Sequence, residues 1–386
     1  MKKICIVVGS RANYSSIKSL MKAVNEHSKL KLQLIVCASS LLEKYGRVVD
    51  QIEKDGFKID LKLSFIVEGE TPLTMAKTTG LGIIDMTNAL SILKPDCVIT
   101  VGDRYETMCT TIAATYMNIP LGHTMGGEVT GTIDESIRHA TTKFAHLHFA
   151  ASKDAAERII KLGEKTESVF WTGCPRIDLV KETLEKELDI DNFQKIVNSY
   201  GIGSKIDFNK EFILLSYHPV TTEFGSNFDQ ISNVFEVLKR INMQSIILWP
   251  NSDAGSSEIA KFYRIFRETY KNKYPFHFVK NLPIDVYVNL MNITSCLVGN
   301  SSSGIREGAF IGTPVVNIGS RQNSRECGKN VINVKSNIDE IFTAVKSQIA
   351  NGKYDMDIIY GDGNSGFKIA EILSQKEVEI QKVISY

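Results

Sequence analysis

Residues 297–310 combine the residue types that bind a phosphate group. The apolar run that ends at Val298 predicts a strand, and Gly299 and Asn300 permit unusual backbone angles. Serines 301–303 then offer caps for a helix, whose first turn has free N–H groups and a partial positive charge. The sequence therefore predicts an anion site at this strand-to-helix turn.

Glu307 lies about one turn further into the predicted helix, too far along to meet the phosphate. Its carboxylate can accept hydrogen bonds from two hydroxyls of a ribose, which extends the prediction to a nucleoside diphosphate. A capped helix after a buried strand is the alternative, and these residues alone favour neither interpretation.

Residues 122–139 form the densest polar segment of the chain. Glycines leave its backbone free, and Asp134 or Glu135 can begin a helix that carries Arg138 and His139 one turn later. Carboxylates beside apolar strands suit acid–base chemistry, so the segment favours a catalytic site over an exposed polar loop. Its ionisable residues are Glu128, Asp134, Glu135, Arg138 and His139.

His146 and His148 have the H-x-H spacing that can bind a metal. No cysteine or third ligand lies nearby in sequence, so histidines satisfied within a core or cleft are the preferred interpretation.

Alternating strand and helix patterns must position these residues. Ile4–Val8, Leu32–Cys37 and Cys97–Val101 are apolar runs that predict buried strands. The opening βαβ unit lacks G-x-G-x-x-G, so a dinucleotide site is not supported. Polar residues follow each strand, at the sheet edge where open α/β proteins bind ligands.

In the turn after the first strand, Arg11 and Ser15 can point at a ligand, although a solvated turn with a surface arginine is the alternative. In the second half, His218 follows another predicted strand, and Arg321 supplies a charge partner for a diphosphate. The strands predicted there are 212–217, 245–248, 276–279, 295–298 and 314–318.

The chain of 386 residues is too long for one ordinary core, which predicts two domains. The charged stretch 182–204 is the best candidate for a linker. We expect an α/β protein of two doubly wound halves with a cleft between them.

Composition is that of a globular protein, with 43% hydrophobic residues and a net charge of +1. This charge gives no global attraction to nucleic acid or to an anionic membrane. The seven cysteines are scattered without a C-x-x-C pair, which indicates a reducing compartment. The first apolar run is too short for a signal peptide and no run has membrane-spanning length, so we expect a cytoplasmic protein.

Taken together, the motifs resemble the hydrolysing UDP-N-acetylglucosamine 2-epimerases over nearly the whole chain. No single motif is specific to this family, but the order and spacing of the whole set are specific to it. They are Gly9-Ser10-Arg11-Ala12-Asn13-Tyr14, Gly102-Asp103-Arg104, Gly126-Gly127-Glu128 through Asp134-Glu135-Ser136-Ile137-Arg138-His139, His218-Pro219-Val220-Thr221-Thr222, Asn251 with Asp253-Ala254-Gly255-Ser256, and Gly299-Asn300-Ser301-Ser302 with Arg306-Glu307.

The resemblance implies a GT-B-like fold of two Rossmann-like domains, no metal and no cofactor. We place the N-terminal domain at residues 1–175, joined by the C-terminal helix at 365–386, and the UDP-binding domain at 205–364. It also implies a UDP-sugar substrate and a homodimer or homotetramer.

The implied reaction is the conversion of UDP-N-acetylglucosamine and water to N-acetylmannosamine and UDP, through elimination to a 2-acetamidoglucal and then hydration. The implied catalytic residues are Asp103, Glu128, Asp134, Glu135 and His218. The implied substrate-binding residues are Arg11, Ser15, Arg104, Arg138, His218, Asn251, Leu282, Ser301, Ser302, Glu307 and Arg321.

Met125 is a departure from the resemblance, because relatives that make N-acetylmannosamine often have Glu at this position. A thioether cannot transfer a proton, so Glu128 or Asp134 does so here, or the sugar differs. The alternative substrate is UDP-2,4-diacetamido-2,4,6-trideoxyglucose, the sugar nucleotide of a legionaminic acid route. A GT-B glycosyltransferase and a non-catalytic sugar-nucleotide sensor are more distant alternatives.

Overall fold

Runs of apolar and β-branched residues form two seven-stranded sheets in the computed structural model of the chain. The residues that the structure describes are 1–68, 71–129, 134–220, 223, 225–250, 255–271, 273–280 and 282–385. Among them, residues 1–128, 134–179 and 361–385 form one compact unit, whereas Val129 and the residues between 180 and 360 form the other. Each unit contains one sheet.

The first sheet is parallel and has the strand order β3-β2-β1-β4-β5-β6-β7. This order is typical of doubly wound folds. The interior strand β1 is buried from Ile4 to Val8, as expected for a strand covered on both faces. The strands are β1 Lys2–Val8, β2 Leu30–Cys37, β3 Leu61–Leu63, β4 Cys97–Val101, β5 Leu121–Thr124, β6 Leu147–Ala150 and β7 Val169–Trp171.

Helix α1 begins at Arg11 because the Ser10 hydroxyl accepts the N–H of Asn13 at 3.2 Å and so caps the helix. The last helix, α14, packs in the same core, where Ile369 and Leu373 are fully buried. The helices whose first residue lies in this unit are α1 Arg11–Glu26, α2 Val48–Lys54, α3 Pro72–Leu93, α4 Tyr105–Tyr116, α5 Asp134–Phe144, α6 Lys153–Lys161, α7 Pro175–Leu184 and α14 Ser365–Gln375.

The second sheet has the order β14-β13-β12-β9-β10-β11-β8, and only β8 runs antiparallel to its neighbour. Its strands are β8 Gly201–Gly203, β9 Ile213–Ser216, β10 Ser245–Leu248, β11 Phe276–Val279, β12 Cys296–Gly299, β13 Val315–Ile318 and β14 Val331–Val334. Its helices are α8 Ile190–Ser199, α9 Asn227–Ile241, α10 Ser256–Tyr270, α11 Ile284–Ile293, α12 Ser302–Ile311 and α13 Ile338–Asn351.

The predicted α/β class with two doubly wound sheets is confirmed. The stretch 182–204, predicted to be helical or loose and to serve as a linker, contains α8 and the edge strand β8. The final helix ends at Gln375 rather than near residue 385. None of the helices given above combines the length and the apolar character that a membrane crossing requires.

A buried carboxylate helps to hold the segment after α14 to the first unit, together with bonds such as that from Lys382 Nζ to the carbonyl oxygen of Lys143. Glu164 is 3% exposed and lies 2.7 Å from Lys382, 2.6 Å from Lys143 and 3.1 Å from His148. Burial opposes ionisation, but the hydrogen bonds from these three groups lower the pKa of Glu164 to about 2. His148 is therefore a structural partner of Glu164. His146 accepts the N–H of Leu121.

We expect Glu164→Gln to lower the free energy of unfolding by about 3 kcal/mol at pH 7, because it leaves cations around an uncharged buried group. The folded pKa of Glu164 lies below its ordinary value of 4.5, so the stabilisation is present above pH 4.5 and is lost as the pH falls toward 2. The difference between the parent and the variant in urea unfolding should therefore stay constant from pH 7 to pH 4.5 and narrow as the pH falls below 4.5.

Glu167→Gln is the matched control, because Glu167 is exposed nearby. Equal losses at both positions, or a difference that grows in acid, would contradict the role given to Glu164.

Candidate active site

Three predicted acidic residues contact Arg138 in the first unit. Arg138 is 2% exposed, and its Nη1 donates to the Glu128 carbonyl oxygen at 2.9 Å and to Glu135 Oε2 at 3.0 Å. Its Nη2 donates to the carboxylate of Asp103. His139 joins the group, because its Nε2 lies 2.8 Å from Glu135 Oε1.

The parallel sheet explains why these residues meet. Asp103 follows β4 through Gly102, which has a φ of 69°, and Glu128 follows the neighbouring strand β5. Carboxyl ends of adjacent parallel strands lie at one edge of the sheet. Helix α5 then begins with Asp134 and Glu135, where carboxylates are favourable at a helix N-terminus.

The electrostatics of this group depend on one buried cation. Burial would lower the pKa of Arg138, but the charges of Asp103 and Glu128 raise it. The guanidinium therefore stays charged and fixes the positions of the acids around it. Carboxylates held in this way can accept and deliver protons at a bound substrate.

His123 is a supporting residue that the sequence did not identify as a candidate. It is fully buried, and its Nε2 lies 2.8 Å from the carbonyl oxygen of Gly102, the residue before Asp103. Burial lowers the pKa of His123 to about 4, so the neutral ring donates from Nε2 to that carbonyl and accepts from Thr142 at Nδ1. His123 thus holds the turn that carries Asp103.

The other binding candidates of the first unit lie in helix starts. Arg11 is the first residue of α1. Arg104 is the N-cap residue of α4 and pairs with the buried Glu106 at 3.3 Å. Ser15 Oγ accepts a hydrogen bond of 2.5 Å from Arg176. Arg176 was not predicted as a candidate, because it follows a Gly-Cys-Pro turn that has no recognisable motif.

In the second unit, the fully buried Asn300 connects three loops that carry predicted binding residues. Its side-chain amide exchanges two hydrogen bonds of 2.8 Å with the backbone of His218. Its carbonyl oxygen accepts from Arg321 Nη1 at 3.2 Å and from Gln322 Nε2 at 2.9 Å. Asn300 therefore fixes the turns after β9, β12 and β13 relative to one another.

The sequence predicted that Gly299 and Asn300 permit unusual backbone angles, and Gly299 has one. Its φ is 139°, and a Cβ there would lie 2.0 Å from the carbonyl oxygen of Ser216. Asn300 has no positive φ. It is needed for its side-chain hydrogen bonds.

Helix α12 begins beside Asn300, as the sequence predicted. Ser301 caps it by accepting the N–H of Ser303 at 3.4 Å, and Ser302 is its first residue. The Tyr287 hydroxyl lies 2.6 Å from Ser303 Oγ. Glu307 is 2% exposed within the same helix.

His218 is partly buried beside Arg321. Burial, with a further contribution from the Arg321 charge, lowers the pKa of His218 to about 3. The imidazole is therefore neutral at pH 7 and can donate a hydrogen bond to an anion. Leu282 is buried between β11 and α11, whereas Asn251 lies outside the described residues.

The second group of residues can bind a diphosphate. A helix N-terminus, serine hydroxyls and an arginine supply hydrogen-bond donors and positive charge. In the described part of the chain, no three His, Cys, Asp or Glu side chains are grouped as a metal ion would require.

The fold of the chain is GT-B-like. The solved structure of the UDP-GlcNAc 2-epimerase from Neisseria meningitidis, bound to UDP-GlcNAc, matches it with a TM-score of 0.82 and 21% identity. The match covers 97% of this chain and all of that one.

Sequence comparisons define the family. A family model described as UDP-N-acetylglucosamine 2-epimerase matches residues 22–374. The UDP-N,N'-diacetylbacillosamine 2-epimerase (hydrolyzing) of Legionella pneumophila is 33% identical, across 97% of this chain and 96% of that protein. The GDP/UDP-N,N'-diacetylbacillosamine 2-epimerase (hydrolyzing) of Campylobacter jejuni is 32% identical, across 90% and 88%. The chain belongs to the hydrolysing UDP-N-acetylglucosamine 2-epimerase family and is an enzyme of that family.

We expect Asn300→Ala to leave the N–H and carbonyl of His218 without their side-chain partners, at a cost of about 2–4 kcal/mol in unfolding free energy. The three loops should loosen, so UDP affinity should fall by about tenfold or more. Urea unfolding and calorimetric UDP titration measure the two effects.

Asn289→Ala is the control, because Asn289 makes a local bond within α11. A folded Asn300→Ala protein with parental UDP affinity would show that Asn300 does not organise the site.

Proposed function

We propose that the chain hydrolyses and epimerises UDP-2,4-diacetamido-2,4,6-trideoxyglucose, which is UDP-N,N'-diacetylbacillosamine. The products are UDP and the free 2-epimer, 2,4-diacetamido-2,4,6-trideoxymannose. The proposal is carried by the group of acids around the buried Arg138, in a chain that is 33% and 32% identical to two relatives named for this sugar nucleotide.

The first-unit acids act on the sugar ring. One carboxylate removes the proton from C2 while the C1–O bond breaks and the bonding electrons leave with UDP. Water then adds to the resulting 2-acetamidoglycal, with its oxygen at C1 and a proton returned to the opposite face of C2. The candidates for these proton transfers are Asp103, Glu128, Asp134 and Glu135.

The second-unit residues act on the leaving group. Negative charge builds on the diphosphate as the C1–O bond breaks, and donors fixed in advance stabilise it. The N-terminus of α12 with Ser301 and Ser302 supplies such donors, together with Arg321 and the neutral His218. Glu307 holds the ribose, and Leu282 and Arg11 complete the binding set.

Met125 supports the 6-deoxy sugar over N-acetylglucosamine. It directly follows β5, is partly buried and packs against the apolar core of the first unit. A thioether offers an apolar surface and no proton. Such a surface suits a sugar with a methyl group at C6 better than one with a hydroxyl.

A panel of sugar nucleotides in D₂O tests the proposal. UDP-diacetylbacillosamine should give UDP and free sugar with deuterium at C2, and its kcat/KM should exceed that of UDP-N-acetylglucosamine at least tenfold. The GDP form is included because one relative is named for both nucleotides. Preference for UDP-N-acetylglucosamine would contradict the proposed substrate. A product that keeps its bond to the nucleotide phosphate would contradict the proposed hydrolysis.

Single amide substitutions of the acids should separate chemistry from binding. We expect at least one of Asp103→Asn, Glu128→Gln, Asp134→Asn and Glu135→Gln to lower kcat by about 10²–10⁴ with little change in UDP affinity, as loss of a general acid or base does. Glu307→Gln should instead raise KM more than it lowers kcat.

Glu157→Gln, an exposed position on α6, should leave kcat and KM unchanged. If all four amide variants had the kcat of the parent, the catalytic role proposed for the first-unit acids would be wrong.

A further inference from the structure

Three hydroxyl groups form a connected network at the N-terminus of α12. The Tyr287 hydroxyl, on α11, lies 2.6 Å from Ser303 Oγ, and Ser303 Oγ lies 2.8 Å from Ser301 Oγ. Both distances are typical of O–H···O hydrogen bonds. Ser303 is 5% exposed, so water has little access to the middle of the network. Tyr287, which was not among the predicted binding residues, is therefore linked to the serine that caps the predicted phosphate site.

The number of protons limits how this network can be arranged. Each hydroxyl has one proton and two lone pairs, so the two contacts use two of the three protons. If both bonds run from Tyr287 toward Ser301, the Ser301 proton is left over. In every other arrangement Ser301 donates its proton to Ser303. The direction of the two bonds therefore decides whether Ser301 can donate to a ligand.

The chemistry of Tyr287 favours the direction that leaves the Ser301 proton available. A phenol is a stronger hydrogen-bond donor than an aliphatic hydroxyl, because it is the stronger acid. Burial raises the pKa of Tyr287, although its hydrogen bond with Ser303 opposes the increase, so the phenol keeps its proton at neutral pH. Ser301 Oγ also accepts the N–H of Ser303 at 3.4 Å, and the Ser303 hydroxyl occupies its second lone pair in this arrangement. Ser301 can then act only as a donor toward a ligand.

We propose that Tyr287 is a positioning residue for the leaving group: through Ser303, it keeps the Ser301 hydroxyl proton directed at the diphosphate. This inference rests on the proposed function, in which the diphosphate of the UDP-sugar binds at the N-terminus of α12. Each hydrogen bond in such a series polarises the next one, so Ser301 is a stronger donor than an isolated serine. Its proton is already oriented when the C1–O bond breaks, so no rearrangement is needed as negative charge builds on the diphosphate.

Calorimetric titration of the full chain with UDP and with uridine tests this role. Tyr287→Phe keeps the ring but removes the hydroxyl, so Ser303 becomes able to accept the Ser301 proton. We expect UDP affinity to fall about tenfold, as for the loss of one hydrogen bond to a charged group. Uridine has no phosphate, so its affinity should be almost unchanged.

Further variants separate an action through Ser303 from a general effect of the substitution. Tyr287→Phe/Ser303→Ala should bind UDP no more weakly than the weaker-binding single variant, because without the Ser303 hydroxyl the phenol cannot act on Ser301. Independent contributions would multiply instead. Tyr200→Phe is the matched control, because Tyr200 is 44% exposed at the end of α8 and should leave UDP affinity unchanged.

Failure of this inference can be told apart from failure of the proposed function. If the parent binds UDP and Tyr287→Phe binds it equally well, the role given to Tyr287 is wrong, whereas the diphosphate site stands. The same conclusion follows from an equal loss of uridine affinity, or from multiplied losses in the double variant. A parent that binds no UDP would overturn the diphosphate site itself, and this inference with it.

Discussion

The need to neutralise one buried guanidinium determines how the acidic residues of the first unit are arranged. Arg138 is almost without solvent contact, and an unpaired charge in such a place would cost several kcal/mol. Asp103 and Glu135 supply the compensating charge, and the carbonyl oxygen of Glu128 occupies a further donor. The acids are therefore held in place by an electrostatic requirement of the fold, at the sheet edge where this class of fold binds ligands.

In the second unit, hydrogen bonds rather than a buried ion pair fix the loops that carry the predicted binding residues. Asn300 satisfies the backbone of His218 on one side and receives Arg321 and Gln322 on the other. An amide suits this position because it both donates and accepts, so neither an aspartate nor an alanine can make the same bonds. Both groups of residues lie at the carboxyl ends of parallel strands, where this class of fold binds ligands.

The apolar runs in the sequence predicted the strands, but not the side-chain hydrogen bonds that fix the loops after them. The predicted strands Cys97–Val101, 245–248 and 276–279 match the structure to the residue, because buried parallel strands are continuous apolar runs. The edge strand β8 in the stretch 182–204 was not predicted, because Gly201–Gly203 is only three residues long and has no apolar run. The role of Asn300 could not be predicted from the sequence, because its main partner, His218, lies 82 residues away.

The first unit is discontinuous in sequence, and this has a consequence for how the protein is made. Its core includes Ile369 and Leu373 of α14, and the residues after that helix are anchored through Lys382. A ribosome makes these residues after the whole of the second unit. During translation the second unit can therefore complete its core first, whereas the first unit completes its core only after α14 has been made.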